Sequence, residues 1–149
     1  MQTYKVTVDQ DKNIRWFNDK DEYHRLDGPA IEASSYKEWW VNGKRHRLGG
    51  PAVECDNGYK SWWVDDKRHR LDGPAVEYAN GHKSWWVKGK RHRLGGPAIE
   101  GADGSKSWWV DGEELTEEEF NEYIKPKPTC DGKIVEVDGI KYKLVKACP

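Results

Sequence analysis

Apolar and polar positions in this chain repeat as one pattern with a period of 23 residues. Aromatic pairs mark the beat: Trp16-Phe17, Trp39-Trp40, Trp62-Trp63, Trp85-Trp86 and Trp108-Trp109. A polar word keeps phase with them. It runs His24-Arg25-Leu26-Asp27-Gly28-Pro29-Ala30 and returns from His46, His69 and His92. Fixed self-similarity at a period of roughly 20–50 residues marks a repeat architecture. A unit this short has no room for a helical crossover between parallel strands, and no part of it has a helical period. Two turn signals fall in each unit. Asn57-Gly58, Asn80-Gly81 and Asp103-Gly104 read as two-residue type I′ hairpin loops, which need positive φ at both positions. The second turn falls at Asn42-Gly43 and Lys88-Gly89. Asp65-Asp66 stands there in one unit, and Asp tolerates the left-handed region at some cost. Pro74 has no N–H and should begin its strand. The predicted fold is mainly all-β: an elongated single-layer antiparallel meander of about five hairpin repeats over residues 1–112.

Side chains alternate across a strand. With a two-residue turn at Asn80-Gly81, Val76 would face Trp85 and Ala75 would face Trp86. One face then carries Pro74, Val76, Lys83, Trp85 and Val87, and the other Ala75, Glu77, Ser84 and Trp86. The first-Trp column (Trp39, Trp62, Trp85, Trp108) has branched aliphatic neighbours and reads as the more tightly packed. The second column (Phe17, Trp40, Trp63, Trp86, Trp109) has small or charged neighbours, so its rings should stand with their planes partly open, as a platform. The first unit departs from the others, as a terminal repeat should. It is one residue shorter between Pro29 and Trp39, with Ser34-Ser35 for Asn-Gly, and one longer between Trp16 and Pro29. Residues 3–9 alternate and should form the opening strand.

The pattern stops after Trp109. Thr116 with Glu119 three later is a capping box, and Glu117, Glu118 and Glu119 complement a helix N-terminus. A short helix over about 117–124, within a capping segment 113–125, should cover the last hairpin, since a bare sheet edge invites aggregation. In segment 126–149, Pro126 and Pro128 make a stiff linker. Asp138-Gly139 should turn a final hairpin, and two strands alone are marginal. That hairpin packs back on the repeats, pairs with another chain as a homo-oligomer, or stays mobile.

Composition narrows the function classes. Of 149 residues, 36% are apolar and 34% charged, but nine are Trp, seven Tyr and two Phe. Trp brings large buried area per residue, which suits a thin sheet with few core positions. Net charge is −1, from 25 basic and 26 acidic residues, so no global field selects nucleic acid or membrane. No stretch nears the ~20 apolar residues of a membrane span, and the first ten residues hold no apolar signal region. A soluble cytoplasmic protein is expected. Cys55, Cys130 and Cys148 are too few for a disulfide framework. Cys130 and Cys148 flank the terminal hairpin nearly opposite each other, and a reducing cytosol keeps such thiols free. No CxxC or HxxxH-type spacing exists, so no metal or other cofactor is expected.

The sharpest polar feature is the basic word Lys44-Arg45-His46-Arg47, Lys67-Arg68-His69-Arg70 and Lys90-Arg91-His92-Arg93. Stacked hairpins place these words in a row beside the open Trp column. Two readings follow. Arg45, Arg47, Arg68, Arg70, Arg91 and Arg93, with Trp40, Trp63, Trp86 and Trp109, form a binding surface. Alternatively, each Arg pairs with a carboxylate (Glu32, Glu54, Glu77, Glu100, Asp27, Asp72) or lies over a Trp. The His column has neighbours about 10 Å apart by strand spacing, too far for shared metal coordination, so these His read as structural. Ser61, Ser84 and Ser107 read as small packers. Catalysis normally needs one asymmetric constellation, and repeats supply copies instead, so no catalytic residue and no enzyme is expected. Aromatic anchors with an Arg fringe suit a protein partner. Nucleic acid, a nucleotide or a lipid headgroup is the alternative.

The period, the Asn/Asp-Gly turn, the second Trp and the words Asn42-Gly43-Lys44-Arg45-His46 and Lys88-Gly89-Lys90-Arg91-His92 resemble MORN repeats over residues 14–112. The chain departs from that family's pattern. Ser61, Ser84, Ser107 or Glu38 replaces the Gly two before the Trp, and Arg47, Arg70 or Arg93 replaces the Gly after His. The Gly-Pro-Ala word is a variant associated with phages, large viruses and bacteria. The resemblance implies a twisted sheet used as scaffold or binding surface and no activity. It fits a phage or bacterial protein that inhibits a host or defence protein, acting in the host cytoplasm if phage-encoded.

Overall fold

The computed structural model describes residues 4–125, 134–137 and 140–143. Strands β1 (Lys5–Val8) and β2 (Ile14–Phe17) open the chain. The first full unit supplies β3 (Ile31–Glu32), β4 (Tyr36–Glu38), β5 (Trp40–Val41) and β6 (Lys44–Arg45). The next supplies β7 (Val53–Cys55), β8 (Lys60–Ser61), β9 (Trp63–Val64) and β10 (Lys67–Arg68). Then come β11 (Val76–Glu77), β12 (Lys83–Ser84), β13 (Trp86–Val87) and β14 (Lys90–Arg91). The last unit has β15 (Ile99–Glu100), a longer β16 (Lys106–Val110) and β17 (Glu113–Leu115). Helix α1 (Glu117–Ile124) and the strands β18 (Ile134–Val137) and β19 (Ile140–Lys143) follow.

Eleven strands pair antiparallel in the order β1-β2-β3-β4-β7-β8-β11-β12-β15-β16-β17, an open meander. The small hairpins β5-β6, β9-β10 and β13-β14 lie beside it and are stitched to one another. Arg47 and Arg70 N–H groups donate to the Trp63 and Trp86 carbonyls, and Asp66 and Gly89 N–H groups donate back to the Arg45 and Arg68 carbonyls. The result is a second, hydrogen-bonded strip of hairpins. Each unit crosses between the sheet and this strip at the first Trp of its pair. Trp62 N–H donates to the Ala75 carbonyl in the sheet, and its own carbonyl accepts from His69 N–H in the strip.

The strip turns are the expected two-residue loops. Asn42 and Gly43 have φ of 49° and 71°, Lys88 and Gly89 have 51° and 82°, and Val41 pairs with Lys44 across the turn. Asp65 and Asp66 follow the same path at 50° and 59°. The sheet turns differ from expectation. Val76 pairs with Ser84, Glu77 pairs with Lys83, and Tyr78 N–H donates to the His82 carbonyl. Three residues, Ala79, Asn80 and Gly81, therefore form the loop, and only Gly81 has positive φ. The odd loop shifts the pairing by one, so Val76 shares a face with Ser84 rather than with Trp85. Cys55 and Tyr59 close the equivalent loop around Asn57-Gly58. In the first unit Ala33 N–H donates to Tyr36, leaving a two-residue loop at Ser34-Ser35. The missing residue is thus absorbed in the turn, and Ile31 pairs with Glu38 as Val53 and Val76 pair with Ser61 and Ser84.

The core is a thin seam. Ala30, Ala52, Ala75 and Ala98 are fully buried, with Ile31, Val53 and Val76 beside them. Consecutive residues are buried because Ala75 N–H also reaches the Ser84 carbonyl, so two residues of one strand oppose one of the other, a bulge. Both Trp columns are only half-buried, so neither is the core.

Helix α1 spans the expected residues. Thr116 is its N-cap, and both bonds of the capping box with Glu119 form. Phe120 is its buried residue, whereas Tyr123 and Ile124 are exposed. The helix packs on β16 and β17. In the terminal hairpin Val137 pairs with Ile140. Pro126, Pro128, Cys130, Asp138, Gly139 and Cys148 lie outside the described residues. No helix among the described residues is long and apolar enough to cross a membrane.

Candidate functional site: two arginine rows

The basic word splits into two rows with opposite surroundings. Its second arginine is enclosed. Arg70 stacks on Trp62, with Cζ 4.0 Å from the ring centroid. Its Nη1 donates to the Pro74 carbonyl and to Glu77 at 2.9 Å, and its Nε donates to Asp72. Arg25, Arg47 and Arg93 repeat the stack on Trp16, Trp39 and Trp85 at 4.1, 3.7 and 3.7 Å. They pair with Glu32, Glu54 and Glu100. The Gly before Pro belongs to this clamp. A Cβ on Gly73 would sit 2.8 Å from Arg70 Cζ, and one on Gly28 would sit 2.8 Å from Arg25 Cζ. The guanidinium thus closes a loop between ring, glycine and carboxylate. Bonding to Arg70 and Arg25 lowers the pKa of Asp72 and Asp27 below the usual carboxylate value.

The first arginine of the word is different. Arg45 lies over Trp40 and Trp63, Arg68 over Trp63 and Trp86, and Arg91 over Trp86 and Trp109, at 4.6–5.4 Å. The order along the strip is Trp40, Arg45, Trp63, Arg68, Trp86, Arg91, Trp109. Each Nε of Arg45, Arg68 and Arg91 is buried without a hydrogen-bond partner. Among the described residues Arg68 and Arg91 make no ion pair. Arg45 has one: Glu38 Oε2 lies 3.4 Å from its Nε, too poorly aimed to count as a hydrogen bond. The same Glu38 oxygen accepts from Trp40 Nε1 at 2.7 Å. In later units Ser61, Ser84 and Ser107 take Glu38's place and bind the Trp63, Trp86 and Trp109 indole N–H groups. A serine satisfies the Trp but offers nothing to the Arg. A cleft of about 390 Å³ opens here, lined by Trp63, Trp86, Arg68, Lys67, Lys88 and Asp66 among others.

These positions correct one expectation. Trp63 and Trp86 each lie between two guanidinium groups and present edges rather than open faces, whereas Trp40 and Trp109 carry one guanidinium each. The ladder also changes at its ends. Tyr23 bridges Phe17 where Arg45 pairs with Trp40, and Glu114 pairs with Trp109 at the other end.

The His row is structural, as expected. Nδ1 of His24, His69 and His92 accepts from the N–H of Asn42, Lys88 and Asp111, the first residue of the next strip turn. His46 instead meets the Asp65 carboxylate at 3.0 Å. Cys55 is a free thiol, its pKa raised by burial. No cluster of metal-ligating side chains occurs among the described residues.

One surface was missed. Leu26, Leu48, Leu71 and Leu94, each between a clamp arginine and its glycine, are 50–81% exposed. A hollow of about 630 Å³ lies between two of these loops, with Leu48, Pro51, Trp62, Val64 and Leu71 on its walls. The recurrence of Leu at one place in a polar loop was the available signal.

Comparison with protein-family models, with curated proteins and with solved structures finds no match for this chain.

Proposed function

We propose that the protein is a non-enzymatic binding scaffold whose partner is another protein, held along the ladder of Trp40, Trp63, Trp86 and Trp109 with Arg45, Arg68 and Arg91. One observation carries this reading: Arg68 and Arg91 stand between Trp rings with no carboxylate paired to them among the described residues, while the neighbouring arginine of each word is fully engaged. Arg47, Arg70 and Arg93, expected on the binding surface, serve the framework instead. Half-buried aromatic and Arg side chains set close together are the composition of interface hot spots. A binder of single-stranded nucleic acid would stack bases on aromatic faces, and at Trp63 and Trp86 a base would first have to displace an arginine. That weighs for protein over nucleic acid.

The test is affinity capture from nuclease-treated host lysate with the wild-type chain and the Arg68→Gln/Arg91→Gln double variant, both checked for native unfolding midpoints. Capture of a protein by the wild type and its loss in the folded variant is the expected result. Equal capture by both, or capture that disappears with nuclease, defeats the reading.

A further inference from the structure

Resting on that reading, we infer that the partner segment is an acidic α-helix that places one carboxylate per repeat, seven residues apart, against Arg68 and Arg91. The chain contains its own template for such a contact. Glu38 shows where an acid sits when one is built in: on the Trp40 indole N–H and beside Arg45. Seven residues before Arg68 and Arg91 stand Ser61 and Ser84, so among the described residues no acid pairs with those arginines. The cleft over Arg68 adds Lys67 and Lys88 against a single Asp66. This is a local cationic excess on a chain of net charge −1.

Spacing selects the helix. Arg68 and Arg91 lie 5.0 and 5.1 Å from the Trp86 centroid, so they are at most about 10 Å apart, which agrees with two strand spacings of ~4.8 Å each. In an α-helix, residues seven apart return to nearly the same face after ~10.5 Å. In an extended chain, three residues cover ~10 Å, but odd offsets point to opposite faces. Of the helix and the extended strand, the helix is the one that presents successive carboxylates to one side at this interval.

The experiment uses the full chain and two fluorescein-labelled helical peptides of identical composition. One carries three Glu at i, i+7 and i+14, the other at i, i+5 and i+10, which scatters them around the helix. Fluorescence anisotropy should show the in-register peptide binding at least tenfold tighter. Arg68→Gln/Arg91→Gln should remove that gap. Glu38→Ser, which frees Arg45 and adds a third site in register, should tighten the in-register peptide by at least threefold. Leu48→Ser/Leu71→Ser should leave the gap unchanged. Equal affinity for the two peptides overturns the inference. So does a gap that survives the double Arg variant, or one that the Leu variant abolishes. Single-stranded DNA of equal charge binding as tightly as the in-register peptide also overturns it. If neither peptide binds while the captured protein is still lost in the Arg variant, the helix inference fails and the protein-binding reading stands.

Discussion

Arg68 and Arg70 are two residues apart in one word, yet they do different work. Arg70 holds a ring, a carbonyl and two carboxylates. Arg68 holds two rings, and its buried Nε has no partner. The first arrangement fixes the loop that returns the chain from strip to sheet. The second gives a charge held in place but not neutralised. Repetition therefore does not sort structural from functional residues by itself; the bonding of each column does. A column whose every member finds its acid is framework, and one whose acid is present only in the first unit is surface.

The largest effect should come from breaking the clamp. Arg70→Ala removes charge-assisted hydrogen bonds and a cation–π stack, and should cost roughly 2–4 kcal/mol in urea unfolding. Gly73→Ala should come next, at about 1–3 kcal/mol, because the new Cβ drives Arg70 off its ring. Its control is Gly95→Ala, whose Cβ meets nothing within 4 Å and which should stay within ~0.5 kcal/mol of wild type. Arg68→Gln should change stability by less than about 1 kcal/mol, since a half-exposed stack is exchanged for relief of an unsatisfied Nε. If Arg68→Gln destabilised as much as Arg70→Ala, the two rows would not differ in kind.

The smallest effect is a pH dependence. The folded-state pKa of Asp72 is lowered by Arg70. Its contribution is therefore present above the ordinary carboxylate pKa of ~3.9 and lost as pH falls through the lowered folded value. The stability difference between wild type and Asp72→Gly, which copies the sibling units with Gly49 and Gly95, should shrink with acidification through that window. A difference that grew in acid would remove Asp72 from the clamp.

Much of this fold was legible in the sequence. The period gives the meander, Thr116 and Glu119 give the helix, and the strip turns fall at the expected residues, Asp65-Asp66 included. Loop parity was not legible. Asn-Gly serves a two-residue loop with both φ positive at Asn42-Gly43 and a three-residue loop with only the Gly positive at Asn80-Gly81. The difference of one residue reassigns every side chain in the pairing. The division of the arginines was half legible. Glu32, Glu54, Glu77 and Glu100 each fall seven residues after a clamp arginine, whereas seven residues before the ladder arginines only Glu38 is acidic. Which offset mattered depended on the register, and the register depended on the turn.

The most direct measurement compares the unfolding free energies of Arg70→Gln and Arg68→Gln, the same substitution two residues apart in one word. Arg70→Gln should be destabilised by at least ~1 kcal/mol more than Arg68→Gln. Equal losses, or a larger loss at Arg68, would contradict the division into framework and surface rows.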